Sequence, residues 1–362
     1  MERSKNKIVS FAVIAILMCG SMLVVLDSKE QHINTYHSNE HDELLGSSTL
    51  MISAMKIFGG YDVEYFRAVT ATSDGGFVAV GYSGAASFGT VDWIGVTGRG
   101  NDDAIIVKYD ADCNVVWKKN FGGSGSDRFE AVTATSDGGF IATGHSWSSS
   151  FGNGDWTGAS AWGGGTEAII VKFDADGNVV WKKNFGGIDN DQFLAVTATT
   201  DGGSVAAGYS SAASFGTGDW TGVTGRGYVD AIIVKFDIDG NVVWKKNFGG
   251  SSADWFYAVA ATTDGSVVAV GDSAAASFGT GDWTGVTGRG GTDAIIVKFS
   301  ETRNNNIDPI DDPTDVAIIM IKSIISLLAV IGVGLLVSRI SSLISIGAAT
   351  LVGLIIAMVW WL

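Results

Sequence analysis

Apolar and polar positions alternate over short distances between about residues 49 and 300. Runs of β-branched and aromatic residues are broken there by clusters of Gly, Asp, Asn and Ser, the pattern of many short strands joined by tight turns. The stretch 131–185 predicts four strands: AVTAT (Ala131–Thr135), FIATGHS (Phe140–Ser146), AIIVKFD (Ala168–Asp174) and NVVWKKNF (Asn178–Phe185). The first two flank a Ser-Asp-Gly-Gly turn and the last two an Asp-Ala-Asp-Gly turn, and Asp-Gly between β-branched runs signals a hairpin. A long Gly- and Ser-rich loop separates the second strand from the third. Three segments break this pattern with continuous apolar runs: Ile8–Leu26, Val316–Val337 and Leu343–Leu362. About twenty apolar residues suffice for a helix to cross a bilayer. With Arg3, Lys5, Lys7 and Arg339 placed on the cytoplasmic side, the expectation is one N-terminal and two C-terminal transmembrane helices.

The middle region is written four times. Phe-Gly-Gly recurs at Phe58, Phe121, Phe185 and Phe248, a period of about 63 residues. Other landmarks keep step with it. An acid precedes a Phe by two at Glu64, Asp127, Asp191 and Asp254, and an acid precedes Ala-Ile-Ile-Val-Lys at Asp103, Glu167, Asp230 and Asp293. Tandem four-stranded antiparallel units predict an all-β fold, a four-bladed β-propeller. The last copy stops after its third strand, and Met51–Phe58 resembles a fourth strand, so the expected ring is closed by that N-terminal strand. The domain reading is an anchor at 1–27, a polar stalk at 28–48, the repeat domain at 49–300, an acidic linker with Pro309 and Pro313 at 301–315, and a helical hairpin at 316–362.

The DGG turn, the DAIIVKFD strand and the DGNVVW strand ending in FGG resemble the β-propeller repeats of bacterial and archaeal surface proteins. That resemblance covers about Ser53–Ser300. It implies a cell-surface location and a binding or scaffolding role, and it carries no catalytic residues with it.

Composition narrows the partners. The 362 residues carry a formal net charge of −15, and an acidic surface repels phosphate backbones, which sets nucleic acid aside. The two cysteines give no disulfide framework. Of the repeated motifs, the long loops hold the residue types best suited to recognition. They carry Asp92, Trp93 and Arg99; Asp155, Trp156 and Trp162; Asp219, Trp220 and Arg226; and Asp282, Trp283 and Arg289. A Trp face beside an Asp and an Arg could stack on a sugar ring and bond its hydroxyls, or seat a protein side chain. The same Trp could instead pin its loop to the sheet, with the Asp capping backbone groups. The turns at Asp110, Asp174 and Asp237 share the start of a calcium loop but lack its distal Glu, so neither a metal nor another cofactor is expected. No nucleophile elbow or metalloprotease motif appears. His145, Trp147 and Trp162 are unique to the second unit. The reading is a non-catalytic, membrane-anchored extracellular propeller that binds a glycan or a surface protein through its long-loop face. A structural or assembly component with the propeller as spacer, and a polysaccharide hydrolase or lyase, are the alternatives. Oligomeric state stays open.

Overall fold

The computed structural model describes residues 51–300. These form fifteen strands in four antiparallel sheets. The first sheet holds β1 (Glu64–Ala71), β2 (Phe77–Gly84), β3 (Asp102–Tyr109) and β4 (Val115–Phe121). The second holds β5 (Asp127–Ala134), β6 (Phe140–Trp147), β7 (Thr166–Phe173) and β8 (Val179–Phe185). The third holds β9 (Asp191–Ala198), β10 (Ser204–Ser211), β11 (Val229–Phe236) and β12 (Val242–Phe248). The last has only β13 (Asp254–Ala261), β14 (Val267–Ala274) and β15 (Thr292–Phe299). Each strand pairs with the next in sequence, so every sheet is a meander, and the four blade-like units repeat in tandem.

Successive blades stack face to face. Val78, Val80, Ala104 and Ile106 of the first pack on Phe129, Val132, Trp156 and Phe173 of the second. The same columns recur at the next boundary, where Ile141, Ala168 and Ile170 meet Phe193, Trp220 and Phe236, and at the one after, where Val205, Ala207 and Ile233 meet Phe256. The Phe of each Phe-Gly-Gly lies edge-on to the loop Trp of the blade that follows it, with ring centroids 5.0–5.1 Å apart. Edge-to-face pairs add about 0.5–1.5 kcal/mol to the burial of their area. The turns are tied to the sheet by ion pairs: Lys108–Asp74, Lys172–Asp137, Lys235–Asp201 and Lys298–Asp264, at 2.7–2.9 Å.

The structure corrects the fold expectation in two respects. Met51–Phe58 is not a strand, and its side chains are exposed up to Phe58, which is half-buried. The fourth sheet therefore keeps three strands, and no closing strand is paired to β15. The blades pack in chain order, and the end positions Phe66, Val69, Val270 and Ile296 are exposed, so this segment, ahead of the first blade, and β15, in the last, belong to opposite ends of the array. Secondly, no helix among the described residues is long and apolar enough to cross a membrane. The helices there are single three-residue turns. The three apolar spans lie outside the described residues, as do the stalk and the acidic linker, so the transmembrane helices find no support.

The first strand of each blade begins four residues earlier than its Ala-Val-Thr pattern suggests. A β-bulge hides the start. Arg67, Glu130, Leu194 and Tyr257 are each an extra residue in the register, and a bulge interrupts the period of two. The bulge brings the backbone of the first strand against a Gly in the second. A Cβ on Gly208 would sit 1.9 Å from the Gln192 carbonyl oxygen, and Gly81, Gly144 and Gly271 are as crowded. Gly208→Ala is therefore expected to destabilise the fold by about 2 kcal/mol or more, read as a lowered urea midpoint. An unchanged midpoint would show that the bulge is dispensable.

Candidate functional site

The long-loop residues are brought together in pairs, each pair spanning a blade boundary. Trp93, Trp156 and Trp220 are fully buried and Trp283 is half-buried. Trp156, Trp220 and Trp283 donate from Nε1 to Asp127, Asp191 and Asp254, each at 3.2 Å. Asp92, Asp155, Asp219 and Asp282 accept from the first Gly N–H of Phe-Gly-Gly at 2.9–3.1 Å. Arg99 pairs with Asp155 at 3.3 Å and Arg226 with Asp282 at 3.1 Å. In the second blade Trp162 takes the Arg role, donating from Nε1 to Asp219 at 3.0 Å. Arg289 belongs to the last blade, and its backbone N–H donates to Asp293. A buried indole offers no face to a sugar ring, so Trp93, Trp156 and Trp220 act as packing, and the Arg99–Asp155 and Arg226–Asp282 pairs act as ties between consecutive blades.

The repeated acids noted in the sequence are the hubs of this network. Asp191 is fully buried and takes four donors: Gly187 N–H at 2.9 Å, the Ser214 hydroxyl at 2.8 Å, Trp220 Nε1 at 3.2 Å and the Ser210 hydroxyl. Burial pushes its pKa up to about 7 against those donors, and the Glu167 charge adds to the rise. Asp127 and Asp254 repeat the arrangement. In the first blade Glu64 stands in the Asp position, and the buried Trp93 Nε1 has no partner. Asp110, Asp174 and Asp237 accept hydrogen bonds from their own turns, from the N–H groups two and four residues on. Among the described residues no group of three or more His, Cys, Asp and Glu is placed to hold a metal ion.

The chemistry that differs between blades lies elsewhere. Just before each bulge the cross-strand pair is Tyr65–Tyr82 in the first blade, Arg128–His145 in the second, Gln192–Tyr209 in the third and Trp255–Asp272 in the fourth. Their neighbours in register are nearly invariant: an acid opposite Ser on one side, Phe opposite Gly on the other. The bulge residues Arg67, Glu130, Leu194 and Tyr257 vary as freely. Because β1, β5, β9 and β13 lie side by side at the blade contacts, these positions make one strip. Arg128 lies over the Tyr82 ring at 4.2 Å and pairs with Asp102 at 2.5 Å. Arg67 pairs with Glu130 at 2.8 Å. The Tyr65 and Tyr82 rings are 5.1 Å apart.

Two of the five buried side-chain atoms without a hydrogen bond among the described residues lie on the strip. His145 is buried, with its Nδ1 lacking a hydrogen bond, and the Asp272 Oδ1 is likewise unpartnered. Burial pushes His145 down to about 4, assisted by the nearby charges of Arg128 and Arg67. Tyr257 is pushed up to about 12 by burial and by the Asp272 charge. Sequence reading passed over most of this strip because the loudest motifs are those that build the blades. The available signal was the reverse one, columns that change while their neighbours are copied; only His145 stood out.

No family model matches the chain, and no curated protein matches it. Among solved structures it is similar to a protein of unknown function from Bacteroides caccae, at 9% sequence identity and a TM-score of 0.28. That match covers 57% of this chain, and the chain spans about half, 52%, of the length of that protein.

Proposed function

We propose that the four-bladed array is a non-catalytic binding module that takes a glycan or a protein partner on the strip of varied side chains along β1, β5, β9 and β13. The observation that carries this reading is the contrast within a single chain. The residues that build the blades are copied from unit to unit, while the Tyr-Tyr, Arg-His, Gln-Tyr and Trp-Asp pairs are not. A purely structural repeat has no reason to place different aromatic and charged groups on one line. Aromatic and Arg side chains are the usual anchors of recognition surfaces, and aromatic rings also stack on sugars. The blades fit those of a β-propeller, and their innermost strands supply the binding surface in this reading. The long loops instead hold neighbouring blades together.

The test is a glycan array probed with the full-length chain, alongside the triple variant Tyr65→Ala, Arg128→Ala and Trp255→Ala. The glycans that bind the parent should bind the variant at least a hundred-fold more weakly, consistent with losing three anchors worth about 1–2 kcal/mol each. The melting temperature should stay within a few degrees of the parent. Equal binding by parent and variant would remove the strip from consideration. Cleavage of bound glycans, detected by product analysis, would overturn the non-catalytic reading.

A further inference from the structure

The array ends in two open faces, and each is half of an interface that the chain builds three times internally. Val80, Ile106, Thr143, Ile170, Ala207 and Ile233 are buried at the three internal boundaries, with exposures of 0%. Their counterparts in the last blade are Val270 and Ile296, which are 37% and 73% exposed. On the opposite side of each boundary, Phe129, Phe193 and Phe256 are fully buried. Their counterpart in the first blade, Phe66, is 45% exposed, and the neighbouring Val69 is 61% exposed. The polar tie is split the same way. Arg99 reaches Asp155 and Arg226 reaches Asp282. That column leaves over Arg289 at one end and Asp92 at the other.

The outer strand is divided as well. β15 has no fourth strand beside it, and Met51–Ile57 is exposed immediately ahead of the first blade. That segment stands where an outer strand of a preceding blade would stand. Hydrogen bonds from Asn114, Asn178 and Asn241 hold Asp110, Asp174 and Asp237 below the usual carboxylate range, and the Lys56 charge adds a little in the first blade as Lys119 and Lys183 do in the next two. Size is matched too. Gly177 and Gly240 are in the left-handed region, and a Cβ there would lie 2.8–2.9 Å from the rings of Trp117 and Trp181 on the preceding outer strand. In the first blade the turn position is Cys113, at φ +60°, and the outer-strand position is Ala54. The larger turn residue faces the smaller strand residue.

We propose that the partner of these two ends is a second copy of this chain, docked head to tail: the last blade of one copy packs on the first blade of the next, and Met51–Phe58 of that next copy completes the three-stranded sheet. Both faces stand open in the same chain, so the occupant comes from another. By the register of β3 with β4, Ala294 lies opposite Phe58, Ile296 opposite Lys56 and Lys298 opposite Ala54. The contact is heterologous, so it closes into a ring of two or more chains or extends as a filament, according to the rotation per copy.

Two end-blocked variants of the full-length chain test this. Ile296→Asp spoils the last face and Val69→Asp the first; both positions are exposed, so neither change should disturb folding, which the melting temperature checks. Each variant alone should lose at least ten-fold in self-association by sedimentation velocity. Mixed, they should form one-to-one pairs through the two intact faces. In a chain with Cys19→Ser and Cys113→Ser, the changes Lys56→Cys and Ile296→Cys should give disulfide-linked dimers and higher forms under oxidation. A disulfide formed within a single chain, self-association that neither Asp substitution alters, or a parent that sediments as one chain at tens of micromolar would each overturn the proposal. These readouts are independent of glycan binding, so the two proposals stand or fall separately.

Discussion

Asp191→Ala is expected to destabilise the blade array by about 3 kcal/mol. Two of the four donors on Asp191, the Gly187 N–H and the Trp220 Nε1–H, are fixed in place and fully enclosed. Removing the carboxylate strands both, and a buried orphan donor costs about 1–3 kcal/mol. The Ser210 and Ser214 hydroxyls rotate and lose less. A carboxyl-sized cavity adds to the cost, and relief from burying a charge offsets part of it. Asp191→Asn keeps the volume and one acceptor, so it should cost roughly half as much. The penalty should also depend on pH. Asp191 titrates near 7 in the fold and near ~4 when unfolded. As pH rises from ~4, the unfolded chain ionises first while the folded group holds its proton. Its stabilising contribution is therefore complete below ~4 and is lost as pH rises through 7. The gap in unfolding free energy between parent and Asp191→Ala should be widest at about pH 4 and below, and narrowest above 7, measured by urea titration at each pH. A gap that widens with pH, or one below about 1 kcal/mol throughout, would mean that Asp191 is not the hub its donors suggest.

Blade architecture was legible because its determinants are local and repeated. Asp-Gly turns, β-branched third strands and the spacing of Phe-Gly-Gly each specify a hairpin or a strand without help from distant residues. What escaped was decided by contacts that a linear reading does not contain. The ring closure at Met51–Phe58 was inferred from similarity to an outer strand, yet whether the two ends of the array meet depends on the rotation from blade to blade, which no local motif records. The bulge at Arg67, Glu130, Leu194 and Tyr257 breaks the alternation that marks a strand, so the varied strip beside it read as the approach to a strand. The landmark acids were visible as a pattern, but nothing in their spacing says that Asp191 ends beneath Trp220, 29 residues away. Asp, Trp and Arg in a Gly-rich loop look the same whether they face a ligand or the next blade. Only burial separates the two, and burial is a property of the stacked array.

Trp220→Ala carries that distinction to a measurement. The indole is fully buried, 5.0 Å from the Phe185 and Phe215 ring centroids, and its Nε1 donates to Asp191. Truncation of a buried Trp costs about 3–5 kcal/mol, since the surroundings collapse only in part. Here they collapse little, because Phe185 and Phe236 are themselves held edge-on at 6.3 Å by the sheet. Trp162 offers the contrast. It is 48% exposed and makes one hydrogen bond to Asp219, so Trp162→Ala should cost about 0.5–1 kcal/mol. The strip along the innermost strands is built from neither residue. Trp220→Ala should therefore lower the urea midpoint sharply while folded protein, kept below that midpoint, still binds whatever glycan the parent binds. A Trp220→Ala chain with parental stability and no glycan binding would return recognition to the long loops and empty the strip of its role.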